Sequence, residues 1–499
     1  MELQFHKTGI GCLKNIKWEV QNQEQTQEVR LGDGMPDIGR VLGAWGQVIM
    51  RSKQWQSDSL GISGGVMVWV LYAPEDGSPV RSVETWVPFQ LSWDIPDTKT
   101  DGTMIATCLL RSADARMTAA RKLIVRVNVG VLMQAYMPDY ADVYHPEDLP
   151  EDVQVLKKTY PVCLPKDAGE KAFTLDEELE LPAERPKSQS FLRYAFQPQI
   201  LESRVMAGKL VFRGSCWVRA LYTDEEGSLQ TWDFDVPFSQ FTELNGDFGE
   251  GARALLWPQA TGMEMTPDEQ GRIRMKASVT CQYVICEEES IEVIADAYSP
   301  LRELTAHCQA LEIPAISQMH TAQLPLEHIF HAEGARPIDG TIWPDQARVQ
   351  LTPDGAHVQL PAMGQMLYYD PEDTLQTALL RWEDEMDMEV AEGAQLYGVL
   401  SPGGKTESSL SGQDAALQTE VKVTCLHLSR DSAPMVTALE LGQLREKDPA
   451  RPSVILRRMG QGGLWQLAKK CGSSQQAIMQ ANGLTEEPAC GKMLIIPVL

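Results

Sequence analysis

A period of two dominates the placement of branched and aromatic residues along most of the first 445 residues, and this period is typical of β-strands. The clearest runs are Val66, Val68, Val70 and Tyr72; Leu123, Val125, Val127, Val129 and Val131; Leu210, Phe212, Cys216, Val218 and Ala220; and Val421, Val423 and Cys425. Residues 74–77, 224–227 and 370–373 are rich in Pro, Asp, Glu and Gly, so each predicts a hairpin loop. The expected fold class is mainly β, with sandwich-like or curled antiparallel domains.

An internal repeat divides this β-rich region, because the same markers recur in the same order about 150 residues later. The markers are Glu28, Leu31, Pro36, Leu71-Tyr72, Val87-Pro88-Phe89 and Ala135-Tyr136 in the first copy, and Glu178, Leu181, Pro186, Leu221-Tyr222, Val236-Pro237-Phe238 and Ala297-Tyr298 in the second. A third, more degraded copy has Pro337 and Leu367-Tyr368, and it has Arg381-Trp382-Glu383 where the Val-Pro-Phe would be. The predicted domains are residues 1–140, 172–305 and 318–444, with linkers at 141–171 and 445–452.

Residues 453–499 have a different pattern, which predicts a small β-α-α-β module. Leu464, Leu467, Ala468 and Cys471 form one apolar stripe of a helix that Gly472 can end. Ser473 and Ser474 can cap a second helix, which carries Ala477, Ile478 and Ala481 and stops at Asn482-Gly483. Strands are predicted at residues 453–456 and 493–497.

The terminal module resembles the LysM family at Leu464-Trp465, Leu467-Ala468, Ile478, Asn482 and Leu494-Ile495-Ile496-Pro497. The resemblance implies a shallow groove for N-acetylglucosamine glycans between the loop before the first helix and the loop after the second. The candidate binding residues are Gln461, Gly462, Leu464, Trp465, Asn482, Gly483 and Leu484. The usual Gly-Asp-Thr of the first loop is replaced by Gln461-Gly462-Gly463, which removes a carboxylate and a hydroxyl that could bind sugar or cap the helix. Trp465 is interpreted as a core residue with an exposed edge, with a sugar platform as the alternative.

The repeats resemble the SPOCS domain of endospore-forming clostridia. The residues that carry the resemblance are Glu28, Leu31, the run from Met35 to Leu42, the Leu-Tyr strand, the Val-Pro-Phe and a long terminal strand. The second copy has Pro186-Lys187-Ser188 in place of Pro36-Asp37-Ile38. The resemblance implies a mother-cell scaffold that helps attach the spore coat to the forespore. Its LysM-like module would bind the morphogenetic ATPase of the coat, or another coat protein, rather than a glycan.

Charge and targeting signals limit the possible partners and compartments. A net charge of −25 and a pI near 4.8 argue against nucleic acid and anionic membrane surfaces. The first residues lack the pattern of a secretory signal, and the strongest apolar run, residues 65–73, is too short to cross a bilayer. We therefore expect a cytoplasmic protein without membrane insertion. The ten cysteines include no Cys-x-x-Cys pair, and Cys281 is expected to be a core residue in a reducing compartment.

Sequence signals for catalysis are weak, so no enzyme activity, metal or cofactor is expected. Residues 398–406 resemble a phosphate-binding loop, but Gly398 is one position too early and Pro402 lacks an amide donor. The eight histidines form no His-x-x-x-His motif. The acid pairs Glu383/Glu385 and Asp384/Asp387 are interpreted as a solvated charged segment rather than as a general acid and base.

Three functional hypotheses remain. The first is a non-enzymatic scaffold of the spore envelope that holds protein partners through its β domains and its terminal module. The second is a peptidoglycan-binding envelope protein, which would require export. The third is a hydrolase with an unrecognised site in the repeats.

Overall fold

The structure is a computed structural model that describes residues 2–98, 101–267, 272–311, 316–352, 355–388, 395–402, 406–411, 414–428, 433–445 and 452–499. Strands make up 75% of the chain and helices 4%, which confirms the mainly-β fold class and the tandem repeats. Every strand pair in the described residues is antiparallel.

The first repeat unit is a pair of three-stranded sheets. After the short strand β1 (Glu2–Leu3), its strands are β2 (Phe5–Arg30), β3 (Ile38–Trp55), β4 (Ser59–Pro74), β5 (Arg81–Asp94), β6 (Thr103–Ala119) and β7 (Lys122–Pro146). The meander β3-β4-β5 forms one sheet, and the long strands pair in the order β2-β7-β6. Burial alternates at the start of β7, where Leu123, Val125 and Val127 face the core, whereas residues 68–72 of β4 and 129–136 of β7 are buried on both faces of their sheets.

The second unit has the same strand order, although its long strands belong to a seven-stranded sheet that continues into the third unit. Its strands are β8 (Gln154–Leu179), β9 (Ser188–Met206), β10 (Lys209–Asp224), β11 (Leu229–Glu243), β12 (Arg253–Pro267) and β13 (Ile273–Tyr298). The meander is β9-β10-β11, and the long strands pair in the order β8-β13-β12. A repeated hydrogen bond explains two of the sequence markers: the hydroxyl of Tyr72 donates to the carbonyl of Pro36 at 3.1 Å, and that of Tyr222 donates to Pro186 at 3.1 Å.

The third unit keeps the same strand order but is more interrupted. Its strands are β14 (Arg302–Leu311), β15 (Ile316–His331), β16 (Arg336–Pro344), β17 (Arg348–Thr352), β18 (Gly355–Tyr369), β19 (Leu375–Met388), β20 (Gln395–Pro402), β21 (Glu407–Ser411), β22 (Asp414–Leu428) and β23 (Ala433–Leu444). Strand β18 pairs with β16, β17 and β19, while β22 pairs with β15, β20 and β21. Strands β1, β23 and β14 form a separate sheet that joins the start of the chain to the end of the third unit.

The structure corrects the boundary between the first two units. Residues 141–171 were expected to be a linker, but β7 extends to Pro146 and β8 begins at Gln154. The prolines and charges of this stretch are compatible with a strand because Pro165 lies beside a register shift opposite Cys286. Leu164 is fully buried, so the segment also contributes to the core. Of the second predicted linker, residues 446–451 lie outside the described residues.

The three units share one hydrophobic core, which includes Trp45 and Trp69 of the first unit, Phe196 of the second and Trp343 of the third. Side-chain amides of one unit also pair with the main chain of another. Gln47 donates to the carbonyl of Phe196 at 2.6 Å and accepts from its amide at 2.8 Å. Gln282 forms the same pair of bonds with Ala106, at 2.7 and 2.9 Å. Apolar packing therefore joins all three units, and these side-chain hydrogen bonds also join the first and second units.

The terminal module consists of β24 (Val454–Arg458), α1 (Gly463–Cys471), α2 (Gln475–Ala481) and β25 (Met493–Pro497). This β-α-α-β order agrees with the sequence expectation. The two strands form an antiparallel sheet in which Leu456 lies opposite Ile495. Leu464, Ala468, Ile478, Leu494 and Ile496 form its core.

Candidate binding surfaces of the terminal module

The start of α1 is capped by a residue that the sequence reasoning did not identify. Gly462 occupies the N-cap position and offers no side chain, but Glu487 accepts a hydrogen bond from the amide of Leu464 at 2.6 Å. A carboxylate at this position satisfies an unpaired amide and interacts favourably with the helix dipole. Glu487 therefore supplies the cap that the loop 461–463 lacks, and its side chain joins that loop to the segment after α2.

The end of α1 and the start of α2 lie at the residues that the sequence predicted. Gly472 ends α1 in the left-handed conformation with φ of 65°. Ser474 caps α2 by accepting from the amide of Ala477 at 3.1 Å. Ser473 is buried instead, and its amide donates to the carbonyl of Ala468.

Trp465 lies at the contact between the terminal module and the second unit. Its indole Nε1 donates to Asp296 Oδ2 at 2.8 Å, and its ring makes an edge-on contact with the Tyr298 ring, with 4.8 Å between the ring centroids. Lys469 Nζ lies 2.8 Å from both carboxylate oxygens of Asp296. The hydroxyl of Tyr298 donates to the carbonyl of Ser473 at 2.9 Å. These contacts dock α1 against the end of β13.

The Asp296 carboxylate is held ionised by its two partners. Partial burial alone would raise the pKa of Asp296, but the hydrogen bonds from Lys469 and Trp465 outweigh this and hold the pKa below its ordinary value. Because Trp465 is only 7% exposed, its ring face is not available as a platform for sugar in this arrangement.

The remaining candidate groove residues fall into two groups. Asn482 is committed to the main chain: Nδ2 donates to the carbonyls of Ile478 and Ile495, and Oδ1 accepts from the amide of Ile495 at 2.8 Å. Leu464 is a core residue and Leu484 is half-buried against the same core. Gln461, Gly462 and Gly483 are exposed, and Gly483 has φ of 58°. The polar side chains expected to face a ligand are thus largely engaged within the protein.

A second exposed surface was missed by the sequence reasoning. The side chains of Val454, Leu456, Met493 and Ile495 are 54%, 64%, 52% and 42% exposed. Cross-strand register places them on the outer face of the sheet, whereas Leu494 and Ile496 face the core. The signal in the sequence is the unbroken apolar run in each strand, because a two-stranded sheet with helices on one side buries only alternate residues.

The other residues that the sequence suggested for chemistry lie in a strand or in the core. Gly398 and Pro402 belong to β20 and pair with Cys425 and Val421, while residues 403–405 lie outside the described part of the chain. Cys281 is fully buried, and desolvation raises the pKa of its thiol to about 12. The described residues contain no group of three or more His, Cys, Asp and Glu side chains arranged to hold a metal.

The acid pairs Glu383/Glu385 and Asp384/Asp387 lie on β19. His357 contacts Asp387 at 2.9 Å and Glu385 at 3.5 Å, and Asp384 accepts from Trp382 Nε1 at 3.0 Å. The side-chain hydrogen bond with Asp387 is the main reason that the pKa of His357 is raised.

Within the described ranges, no helix is long and apolar enough to span a membrane.

Comparison with known proteins identifies one region. Residues 189–259, from β9 to the first half of β12, match the family model described as SipL, SPOCS domain. Comparisons with curated proteins and with solved structures found no match. The matched residues comprise the meander of the second unit and the start of its long hairpin. The second unit is therefore similar to the SPOCS domain, which suggests a sporulation-related protein.

Proposed function

We propose that this chain is a non-enzymatic scaffold in assembly of the endospore envelope. Its terminal module, a LysM-like module by sequence, binds a coat morphogenetic protein, and its β units hold further partners. The observation that carries the proposal is the SPOCS match at residues 189–259 in a chain of three units with the same strand order. Rigid sheets with a shared core suit a scaffold because they present fixed surfaces at fixed spacing.

The state of the module's polar groups favours a protein ligand over a glycan. Sugar recognition depends on polar groups aimed at the ligand and on an accessible aromatic face. Here the Asn482 amide is saturated by the main chain, Trp465 is docked on Asp296, and Glu487 caps α1. The exposed surface that remains on the sheet is apolar. This supports a role in the mother-cell cytoplasm, at the forespore surface, rather than in the cell wall.

The test is a paired binding measurement on the full chain. Binding of the recombinant morphogenetic ATPase of the coat to the immobilised full-length protein is measured by biolayer interferometry. Binding of N-acetylglucosamine oligomers to the full-length protein in solution is measured by calorimetry. We expect saturable binding of the ATPase and no heat from the oligomers. The Gln461→Ala variant is the matched control for the groove, since Gln461 is exposed and its change leaves the core intact. Oligomer binding in the millimolar range or tighter, lost in this variant and without ATPase binding, would establish the peptidoglycan alternative instead.

A further inference from the structure

The outer face of the sheet β24–β25 is an apolar surface that the second unit does not cover. Val454 and Leu456 on β24 lie opposite Pro497 and Ile495 on β25, so the exposed apolar side chains are contiguous on one face. The helices pack on the other face, and α1 carries the contacts with Asp296 and Tyr298. Contiguous exposed apolar residues rimmed by polar ones mark interaction sites.

One edge of this sheet is open among the described residues, and the other is covered. The amide of Val498 donates to Ser453 and that of Met459 donates to Lys492, so the odd-numbered residues of β24 face β25. The N–H and C=O groups of Val454, Leu456 and Arg458 consequently point outward, and no described residue bonds to them. On β25 the corresponding groups of Ile495 are satisfied by Asn482. Among the described residues, the β24 edge is therefore the one left free to accept another strand.

Charge defines which strand would fit this edge. Residues 453–499 contain five basic and two acidic side chains, a net charge of +3 in a chain of −25. Lys469 is paired with Asp296 and Glu487 caps α1, but Arg457 and Arg458 are exposed without an acidic partner among the described residues. Pairing of two copies through β24 would bring four arginines together, which is unfavourable. The open edge therefore favours a strand that carries carboxylates.

We propose that an acidic, extended segment of the coat protein adds to β24 as a third strand. Its main chain pairs with Val454, Leu456 and Arg458, its alternate apolar side chains pack on Leu456 and Ile495, and its carboxylates meet Arg457 and Arg458. This inference rests on the proposed function and assigns its binding surface to the outer sheet rather than to the groove near Gln461.

Binding of the recombinant coat ATPase to full-length variants tests the surface. Leu456→Glu and Arg458→Glu are expected to weaken binding about tenfold or more, because they place a charge on the apolar face or repel the acidic strand. Lys470→Glu makes the same charge change as Arg458→Glu, at an exposed position of α1, and is expected to bind within about twofold of the parent. Since all three side chains are exposed, unchanged melting temperatures will show that folding is intact.

Hydrogen exchange on the complex separates strand addition from other modes. The outward amides of Val454, Leu456 and Arg458 should become protected on binding, and affinity should fall as salt is raised. If the ATPase binds but Arg458→Glu and Leu456→Glu have no effect, or protection appears only around Gln461 and Gly483, the surface assignment is overturned while the proposed function stands. If the unaltered chain does not bind the ATPase, the proposed function fails and the inference fails with it.

Discussion

Individual residues at the centre of the molecule hold the second and third units in register. Arg193 Nε donates to Asp339 Oδ2 at 2.7 Å, and both side chains are almost fully buried. The Arg193 guanidinium also lies over the ring of Trp45 at 5.4 Å, so the first unit takes part in the same contact. Desolvation is the main reason that the pKa of Arg193 is lowered, and Asp339 partly offsets it. A buried ion pair of this kind specifies a partner more than it adds stability.

Removal of one charge from this pair should be far more harmful than removal of both. We expect Asp339→Ala to destabilise the protein by about 3–5 kcal/mol, because Arg193 is left buried without its carboxylate. The double variant Arg193→Leu, Asp339→Leu should recover most of that loss. Scanning calorimetry of the parent, single and double variants provides the measurement. Equal melting temperatures for the single and double variants would show that the pair does not act as a unit.

At the scale of elements, the hairpin turns show how far the repeat governs local conformation. Gly77 and Gly227 adopt φ of 74° and 83° after the Leu-Tyr strands, and Asp373 takes the equivalent place with φ of 63°. In the second and third units Asp224 and Asp370 fix the turn by accepting main-chain amides, from Ser228 and Thr374 at 2.8 Å. These turns were predictable from sequence because their chemistry is local.

Alanine substitutions in the two glycine turns can distinguish the cost of a positive φ from the cost of crowding the contact between the first and second units. A Cβ at position 77 would meet nothing within 4 Å, whereas one at position 227 would lie 2.7 Å from Pro79 Cγ of the first unit. Gly77→Ala should therefore cost only the left-handed conformation, about 1 kcal/mol. Gly227→Ala should cost more and lower the melting temperature further. Equal effects in the two variants would argue against close packing of this turn on Pro79.

Some elements escaped the sequence because their patterns were ambiguous or their partners distant. The alternation around Val66 and Val125 was sufficient to predict sheets. Pro161 and Pro165 are unusual within a strand, so the first half of β8 was predicted to be a linker. The Arg193–Asp339 and Trp465–Asp296 contacts join residues 146 and 169 positions apart. Such pairs depend on how whole units pack, which hydrophobic periodicity does not encode.

At the scale of the whole molecule, the terminal module is a docked part of the structure rather than an isolated appendage. Tyr298 and Leu156 of the second unit pack with Trp465 in the core of the module. The first and last β-rich segments are also joined, since Leu3 of β1 lies opposite Leu439 of β23. The orientation of the outer β24 face therefore depends on contacts made by the second unit.

Docking of the module should depend on Asp296 and on pH. Asp296→Ala removes the acceptor of Trp465 and the partner of Lys469, so we expect faster hydrogen exchange in α1 and a larger radius of gyration in solution scattering. Glu292→Ala is the matched control, because Glu292 lies on the same strand but forms only an exposed pair with Lys157. The pKa of Asp296 is depressed from its ordinary value of 3.8, so its contribution is present at neutral pH and is lost as pH falls through that lowered pKa. Unchanged exchange in Asp296→Ala would mean that the contacts of Tyr298 and Leu156 hold the module without Asp296, and the loss of docking at low pH should then be absent as well.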